Sequence, residues 1–344
     1  MAPSAFLRVT PPYRFIRYKP APPNPRGDKL LPAMQSRRDF AKTILAAVPT
    51  SMALAARINS TVDGVRLGAS TYSFRDFPRA ADGTQLDATI QALKDCSVGV
   101  IELFAPTIEP GVNHPAGGPR PAGGRMNSPE ALKARADLRD WRLSTPMTYF
   151  HGVRKKFDDA GIDVYCYTMN YREDFTDEEI GKTFEQTKAL GSKIIATSTQ
   201  GTMAKRLLPF AEKHKIVVAF HGHANLTDPN EFATPESFAK ATALSKYFKI
   251  NLDLGHFTAA NFDAVDFIRQ NHQNITHLHI KDRKKDNGPN TPLGEGDTPI
   301  KQVLLLLKEK KYPIPALVEY EYRGTGTSIE EVKKCMDFMK QALV

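Results

Sequence analysis

An α/β fold built as a single (β/α)8 (TIM) barrel is what this sequence predicts, on three observations. From about Val65 strand-like runs alternate with helical patterns, which implies parallel βαβ units. The stretch 65–344 divides into eight such units of about 35 residues each, the size of a barrel repeat. The Gly-rich turn that a doubly wound open sheet, the runner-up, usually carries after its first strand is missing here.

The elements follow in order. Strand candidates are "VRLGASTYSF" (65–74), "VGVIELFA" (98–105), "IDVYCYTMN" (162–170), "SKIIATSTQ" (192–200), "KIVVAFHGH" (215–223), "KINLDLGH" (249–256), "NITHLHIKD" (274–282) and "IPALVEYEY" (314–322). Helical patterns include 177–190, 235–247 and 300–311, and "SIEEVKKCMDFMKQAL" (328–343) closes the chain. The Gly/Pro-rich stretch 105–125 is the one long loop, of the kind that serves as a lid or stays disordered.

Charge resolves into a basic leader and a near-neutral body. Of the net +9, residues 1–56 hold nine Lys/Arg and two acids, leaving +2 for the rest. A broad phosphate-binding surface therefore loses its support, and nucleic acid is not an expected partner. Three widely spaced cysteines, Cys96, Cys166 and Cys335, form neither a disulfide framework nor a Cys-based zinc motif.

Within the leader, Arg37 and Arg38 precede a short apolar stretch, "TILAAVPTSMALAA" (43–56), that ends in small residues. It is too short and broken for a membrane span, and it resembles a twin-arginine export signal. The expected organisation is an untranslated or disordered extension over 1–33, a signal over 34–56 and the barrel over 57–344. The expected location is the periplasm or another extracytoplasmic space.

Strand parity then picks out a site. Side chains alternate faces along a strand. In "VVAFHGH", Val218 and Phe220 take one face while His221 and His223 take the other. Asn251 and Asp253 oppose Ile250 and Leu252. His277, His279 and Lys281 oppose Leu278 and Ile280. Glu319 and Glu321 oppose Val318 and Tyr320. In a barrel the apolar face packs on helices and the other faces the lumen, where the C-terminal strand ends carry the active site. Four consecutive strands thus aim His221, Asp253, His279 and Glu319 at one point, spaced by about one βα unit each. Two imidazoles and two carboxylates suit one divalent ion, Mn²⁺ or Zn²⁺ foremost, with Co²⁺ or Fe²⁺ compatible.

At these residues the chain resembles the sugar phosphate isomerase/epimerase family, the xylose-isomerase-like barrels that include tagatose epimerase and inosose isomerase relatives and, more distantly, endonuclease IV. "HGH", "LDLGH", "HLHIKD", "PLGEGDTPI" (292–300) and "VEYE" carry the resemblance, over about 65–344. It implies His221, Asp253, His279 and Glu319 as metal ligands and His256 as a substrate contact. Glu102, His223 and Glu321 join as candidate substrate contacts. Glu319, His256 and Lys281 are the candidate catalytic residues. One departure is His221, which stands where the epimerases carry a glutamate that doubles as acid/base, so a two-glutamate epimerisation does not transfer unchanged.

The chemistry expected of such a site is removal of a proton α to a carbonyl, giving an enediolate. Return of the proton elsewhere is isomerisation or epimerisation; loss of a β-substituent is a lyase or dehydratase reaction. Export favours an unphosphorylated keto-sugar or oxidised glycoside as the small-molecule substrate. A homo-oligomer is compatible with the sequence. A nuclease of the endonuclease IV type conflicts with the neutral body, and a metal-free sugar-binding barrel conflicts with the complete four-residue set.

Overall fold

The computed structural model describes residues 56–111 and 128–344. The expected extension, the twin-arginine leader up to residue 55 and the loop segment 112–125 lie outside the described residues. Among the described residues no helix is long and apolar enough to cross a membrane.

Eight parallel strands close into a barrel: β1 (Val65–Ser70), β2 (Val100–Phe104), β3 (Asp163–Thr168), β4 (Ile194–Thr197), β5 (Val217–His221), β6 (Phe248–Asp253), β7 (Ile275–Ile280) and β8 (Ala316–Val318). Each pairs with its chain neighbour, and β8 returns to β1 through Ala316↔Leu67. A two-residue strand, Thr61–Val62, caps β1 as an antiparallel hairpin. The interior narrows enough at β1 that a Cβ on Gly68 would lie 2.1 Å from the Val100 carbonyl oxygen and 2.7 Å from Leu317.

The outer ring consists of α1 (Leu86–Asp95), α2 (Pro129–Ser144), α3 (Met147–Asp159), α4 (Asp177–Ala189), α5 (Gly201–His214), α6 (Pro235–Thr242), α7 (Leu254–Ala259), α8 (Ala264–Asn271), α9 (Ile300–Lys310) and α10 (Ser328–Leu343). Side-chain caps fix several starts: Thr176 accepts from the Glu179 N–H, while Thr234/Ser237 and Thr327/Glu330 form reciprocal capping boxes. The β2–β3 connection holds two helices, α2 and α3, which the strand count alone did not require.

The predicted faces hold. Val218, Phe220, Leu252, Leu278 and Ile280 pack outward in the core, Phe220 against Phe232 with ring centroids 4.6 Å apart. Strand ends differ from the sequence reading for hydrogen-bonding reasons. β1 stops at Ser70 because the Ser70 hydroxyl accepts the Tyr72 N–H and starts a 3₁₀ turn. "LGHF" is not strand but the first turn of α7, capped by Asp253. β8 ends at Val318 because the Tyr320 N–H turns to the Ser73 hydroxyl, 3.0 Å away. Glu319 and Glu321 therefore project from the loop beyond β8.

Candidate metal centre

The sequence-predicted ligands meet. His221 ends β5, Asp253 ends β6, His279 lies one residue before the end of β7, and Glu319 follows β8 directly. Each offers one ligand atom, and these atoms all lie within 4.8 Å of one another. His221, Asp253 and His279 are at most 7% exposed. Register explains the convergence, since Asp253 pairs with His279 and His221 with Asn251 across adjacent strands.

Two buried atoms of the four converging residues lack a hydrogen bond: Asp253 Oδ2 and His279 Nδ1. Asp253 spends Oδ1 on the His256 N–H (2.7 Å) as the cap of α7, which leaves Oδ2 aimed inward. His279 directs Nε2 to Glu102 Oε2 at 2.6 Å. That contact turns Nδ1 toward Glu319 Oε2 (3.3 Å) and Asp253 Oδ2 (3.9 Å), both outside hydrogen-bond geometry. Burying such atoms without a hydrogen bond is costly, and a cation bound there would remove the cost. Lys281 shows the same demand for positive charge: its Nζ stands 3.1 Å from Asp253 Oδ2 and 2.6 Å from Glu319 Oε2. The four residues fit a divalent ion by donor type, convergence and these orphaned atoms.

The electrostatics follow from burial and neighbours. Burial opposes charge on every group here, and the partners decide who keeps it. Burial alone would raise Glu319; the charges of His279 and Lys281 outweigh it and hold the carboxyl well below the usual range. Burial raises Asp253, which Lys281 only partly offsets. His279 is pushed well above an ordinary imidazole, against burial, by Glu102 and Glu319. His221 and His256 are both held well below it by burial, reinforced for His221 by His279 and for His256 by Lys281. Lys281 is raised well above an ordinary lysine, against burial, by Asp253, Glu319 and Glu321.

The remaining candidates divide. Glu102 is 2% exposed and lies under the centre, accepting from His277 (2.9 Å) and His279. Strand position gave its face and not its depth in the barrel, where it supports the His277 and His279 rings. Glu321 reaches Lys281 at 2.7 Å near the mouth. Lys281 also approaches His256 Nε2 at 3.2 Å, and His256 Nδ1 accepts from Arg283 Nη1 at 2.7 Å. Asp282, next to Lys281 in the chain, accepts backbone N–H groups of Gly294, Gly296 and Thr298 and so ties down the "PLGEGDTPI" loop. His223 sits at the mouth between Ser198 and Glu231, two residues that sequence reasoning did not single out. Ser198 falls within the strand candidate 192–200 and directly follows β4, and Glu231 lies in the loop before α6. Asn251, also unassigned, places Nδ2 3.4 Å from His221 Nδ1 and 3.1 Å from His279 Nε2. Its shared face with Asp253 was the available signal.

Comparison with known proteins agrees with this architecture. A family model described as a xylose isomerase-like TIM barrel matches residues 153–342, more than half of the chain. L-ribulose-5-phosphate 3-epimerase UlaE of Salmonella paratyphi A is 26% identical over 115 residues, which span 32% of this chain and 40% of that relative. The match thus covers well under two thirds of the curated relative's length. Among solved structures, apo 3-keto-D-glucoside 4-epimerase YcjR of E. coli superposes with a TM-score of 0.56 at 12% identity, covering 80% of this chain and 99% of its own. The IOLI protein "with a binding zinc atom" gives a TM-score of 0.56 at 13% identity, covering 81% and 98%. At such identities these likenesses speak for the fold.

Proposed function

The chain belongs to the xylose isomerase-like TIM barrel family, and from that premise we propose that it is a divalent-metal-dependent sugar isomerase or epimerase acting on an unphosphorylated keto-sugar or 3-keto-glycoside. The observation that carries this reading is the convergence of His221, Asp253, His279 and Glu319 with two orphaned ligand atoms. Those four residues would hold the ion, which when bound supplies Lewis-acid polarisation of the substrate's carbonyl and adjacent hydroxyl. Glu319, kept ionised by its neighbours, accepts the proton α to the carbonyl. Lys281 holds Glu319 and Glu321 in place and keeps its own proton. Glu102 fixes the His279 ring so that Nδ1 faces inward.

Two considerations favour an unphosphorylated substrate. Among the described residues, two arginines at the strand-end face spend donors on the protein: Arg75 on the Tyr72 and Tyr320 carbonyls, Arg283 on the Gly288 carbonyl, Asn287 and His256. The leader resembles an export signal, and export would separate the protein from cytoplasmic sugar phosphates. Sequencing of envelope material is expected to find a mature N-terminus near Ala56 or Arg57; recovery of intact residues 1–56 there would remove this support.

The deciding experiment is a proton-exchange screen in D₂O, using ketoses such as D-fructose and keto-glycosides such as methyl 3-keto-D-glucopyranoside, with and without Mn²⁺. Metal-stimulated deuterium uptake at the carbon next to the carbonyl is expected. Release of a substituent instead would make the protein a lyase. No uptake from any probe, with metal bound, would overturn the enediolate reading.

A further inference from the structure

We infer that Ser198, His223 and Glu231 form a second proton-transfer group on the side of the substrate opposite Glu319, which makes the protein an epimerase; this rests on the isomerase/epimerase reading above.

The three side chains lie in line. His223 directs Nε2 to Ser198 Oγ at 3.1 Å and Nδ1 to Glu231 Oε1. A carboxylate on one imidazole nitrogen fixes the ring and its tautomer, leaving the other nitrogen to exchange a proton with a hydroxyl. The support is built from several elements. The Ser198 N–H donates to Asn170 Oδ1 at 2.9 Å, and the His223 N–H donates to the Phe232 carbonyl at 2.9 Å. Phe232 is itself buried against Phe220 and Phe238. The His223 ring stands beside two site histidines, its centroid 5.0 Å from that of His221 and 5.2 Å from that of His256. Its side chain is 34% exposed, so solvent reaches it.

Topology sets the side. In the closed barrel β4 is separated from β8 by three strands in either direction. Ser198 follows β4 and Glu319 follows β8, so a substrate seated over the four converging residues has one on each side. Inversion at a carbon needs that arrangement, because a single base returns the proton to the face it came from. Two other ionisable groups near the centre, Lys281 and His256, are taken. Lys281 Nζ lies within 3.1 Å of three carboxylates, those of Asp253, Glu319 and Glu321. The two ring nitrogens of His256 face the cations Arg283 and Lys281.

The step balances without an oxidant. Glu319 takes the α-proton; the C–H electron pair becomes the carbon–carbon π bond, and the carbonyl π pair moves to oxygen. On return the π pair takes a proton at the opposite face from the Ser198 hydroxyl. That oxygen takes the Nε2 proton of a protonated His223, and the carbonyl reforms. Water at the mouth recharges His223 and accepts the proton held by Glu319.

The test separates the two half-reactions with methyl 3-keto-D-glucopyranoside and D-fructose in D₂O plus Mn²⁺. His223→Gln and Glu231→Gln are expected to retain deuterium uptake into recovered substrate while forming the epimer about 10²-fold more slowly. Their metal content should match that of the unmodified protein. Parallel loss of uptake and epimer, no loss of either, or a product that is only the aldose isomer overturns the relay. A second readout needs no activity: in ¹⁵N-histidine spectra of the metal-free protein, His223 should carry its proton on Nδ1, and Glu231→Gln should change that. A neutral His223 protonated on Nε2 also overturns it. If the unmodified protein exchanges no probe, the enediolate reading has failed, and the ¹⁵N spectra still report whether the relay is assembled.

Discussion

Two clusters of buried charge in this barrel contrast in how they satisfy their atoms. On the α2/α4 flank, Arg142 donates to both oxygens of Glu109, at 2.6 and 2.8 Å, and to Glu179 at 2.8 Å. Arg135 adds two bonds to Glu179, at 2.9 and 2.7 Å. These are planar fork contacts, and they hold Arg142 well above an ordinary guanidinium against its burial. At the ends of β5–β8 the charges are buried as deeply, yet Asp253 Oδ2 and His279 Nδ1 find no hydrogen bond. Buried charge therefore does not itself mark a functional site. The discriminating feature is a set of ligand atoms aimed at one point, two of them without a hydrogen bond.

The largest expected effects test that division from both sides. Arg142→Ala strands Glu109 and Glu179 in the interior and should cost about 3–5 kcal/mol of stability in chemical denaturation. Metal bound per folded molecule should not change; a loss of both would mean that the flank and the site are one coupled unit. Glu319→Gln keeps an oxygen ligand and removes the basic carboxylate. Metal should bind more weakly but still bind, while α-proton exchange should fall about 10²-fold or more. Near-normal exchange in that variant would assign the base elsewhere.

How much of this contrast the sequence carried depends on range. β5–β8 were legible because each alternates apolar and polar residues, and period two settles which side chains share a face. That placed His221, Asp253, His279 and Glu319 on the lumen side, and the family resemblance marked them as the metal ligands among the residues sharing those faces. What escaped was set by partners distant in the chain. Glu102 meets His279 across 177 positions, so its place beneath the ligand had no local signal. Val318 ends β8 because of Ser73, 247 positions before Tyr320. Arg142 and Glu109 sit in a helix and a loop whose packing no strand pattern predicts; Ser198 ends a strand candidate that carries no acidic or histidine residue, and Glu231 lies in a loop with ordinary turn composition.

Smaller effects sharpen the comparison within the site. Glu102→Gln keeps the shape but loses the charge that orients His279, and metal affinity should drop about 10–100-fold in a chelator competition. An unchanged affinity would show that Glu102 serves packing alone. The pH dependence follows from His279. Its folded pKa is raised, so the metal-free protein holds the ring charged at neutral pH, while ligation through Nδ1 needs the neutral ring. Binding must release that proton, and affinity should weaken about tenfold per unit as pH falls. Calorimetry in buffers of different ionisation enthalpy counts the released proton; a count of zero would remove His279 from the ligand set.

The smallest effect tests whether exposure, rather than the number of contacts, sets the worth of an ion pair on the flank. Arg139 also reaches Glu179, at 3.2 Å, and donates to the Asp174 carbonyl at 2.5 Å. Its side chain is 28% exposed against 7% for Arg142. Solvent screens its charge, and Glu179 keeps Arg135 and Arg142 when it is gone. Arg139→Ala should therefore cost about 1 kcal/mol or less in the same denaturation experiment. A loss as large as that of Arg142→Ala would mean that the network acts as one cooperative unit, in which no single guanidinium can be removed without exposing the unmet charge of Glu179 to the interior.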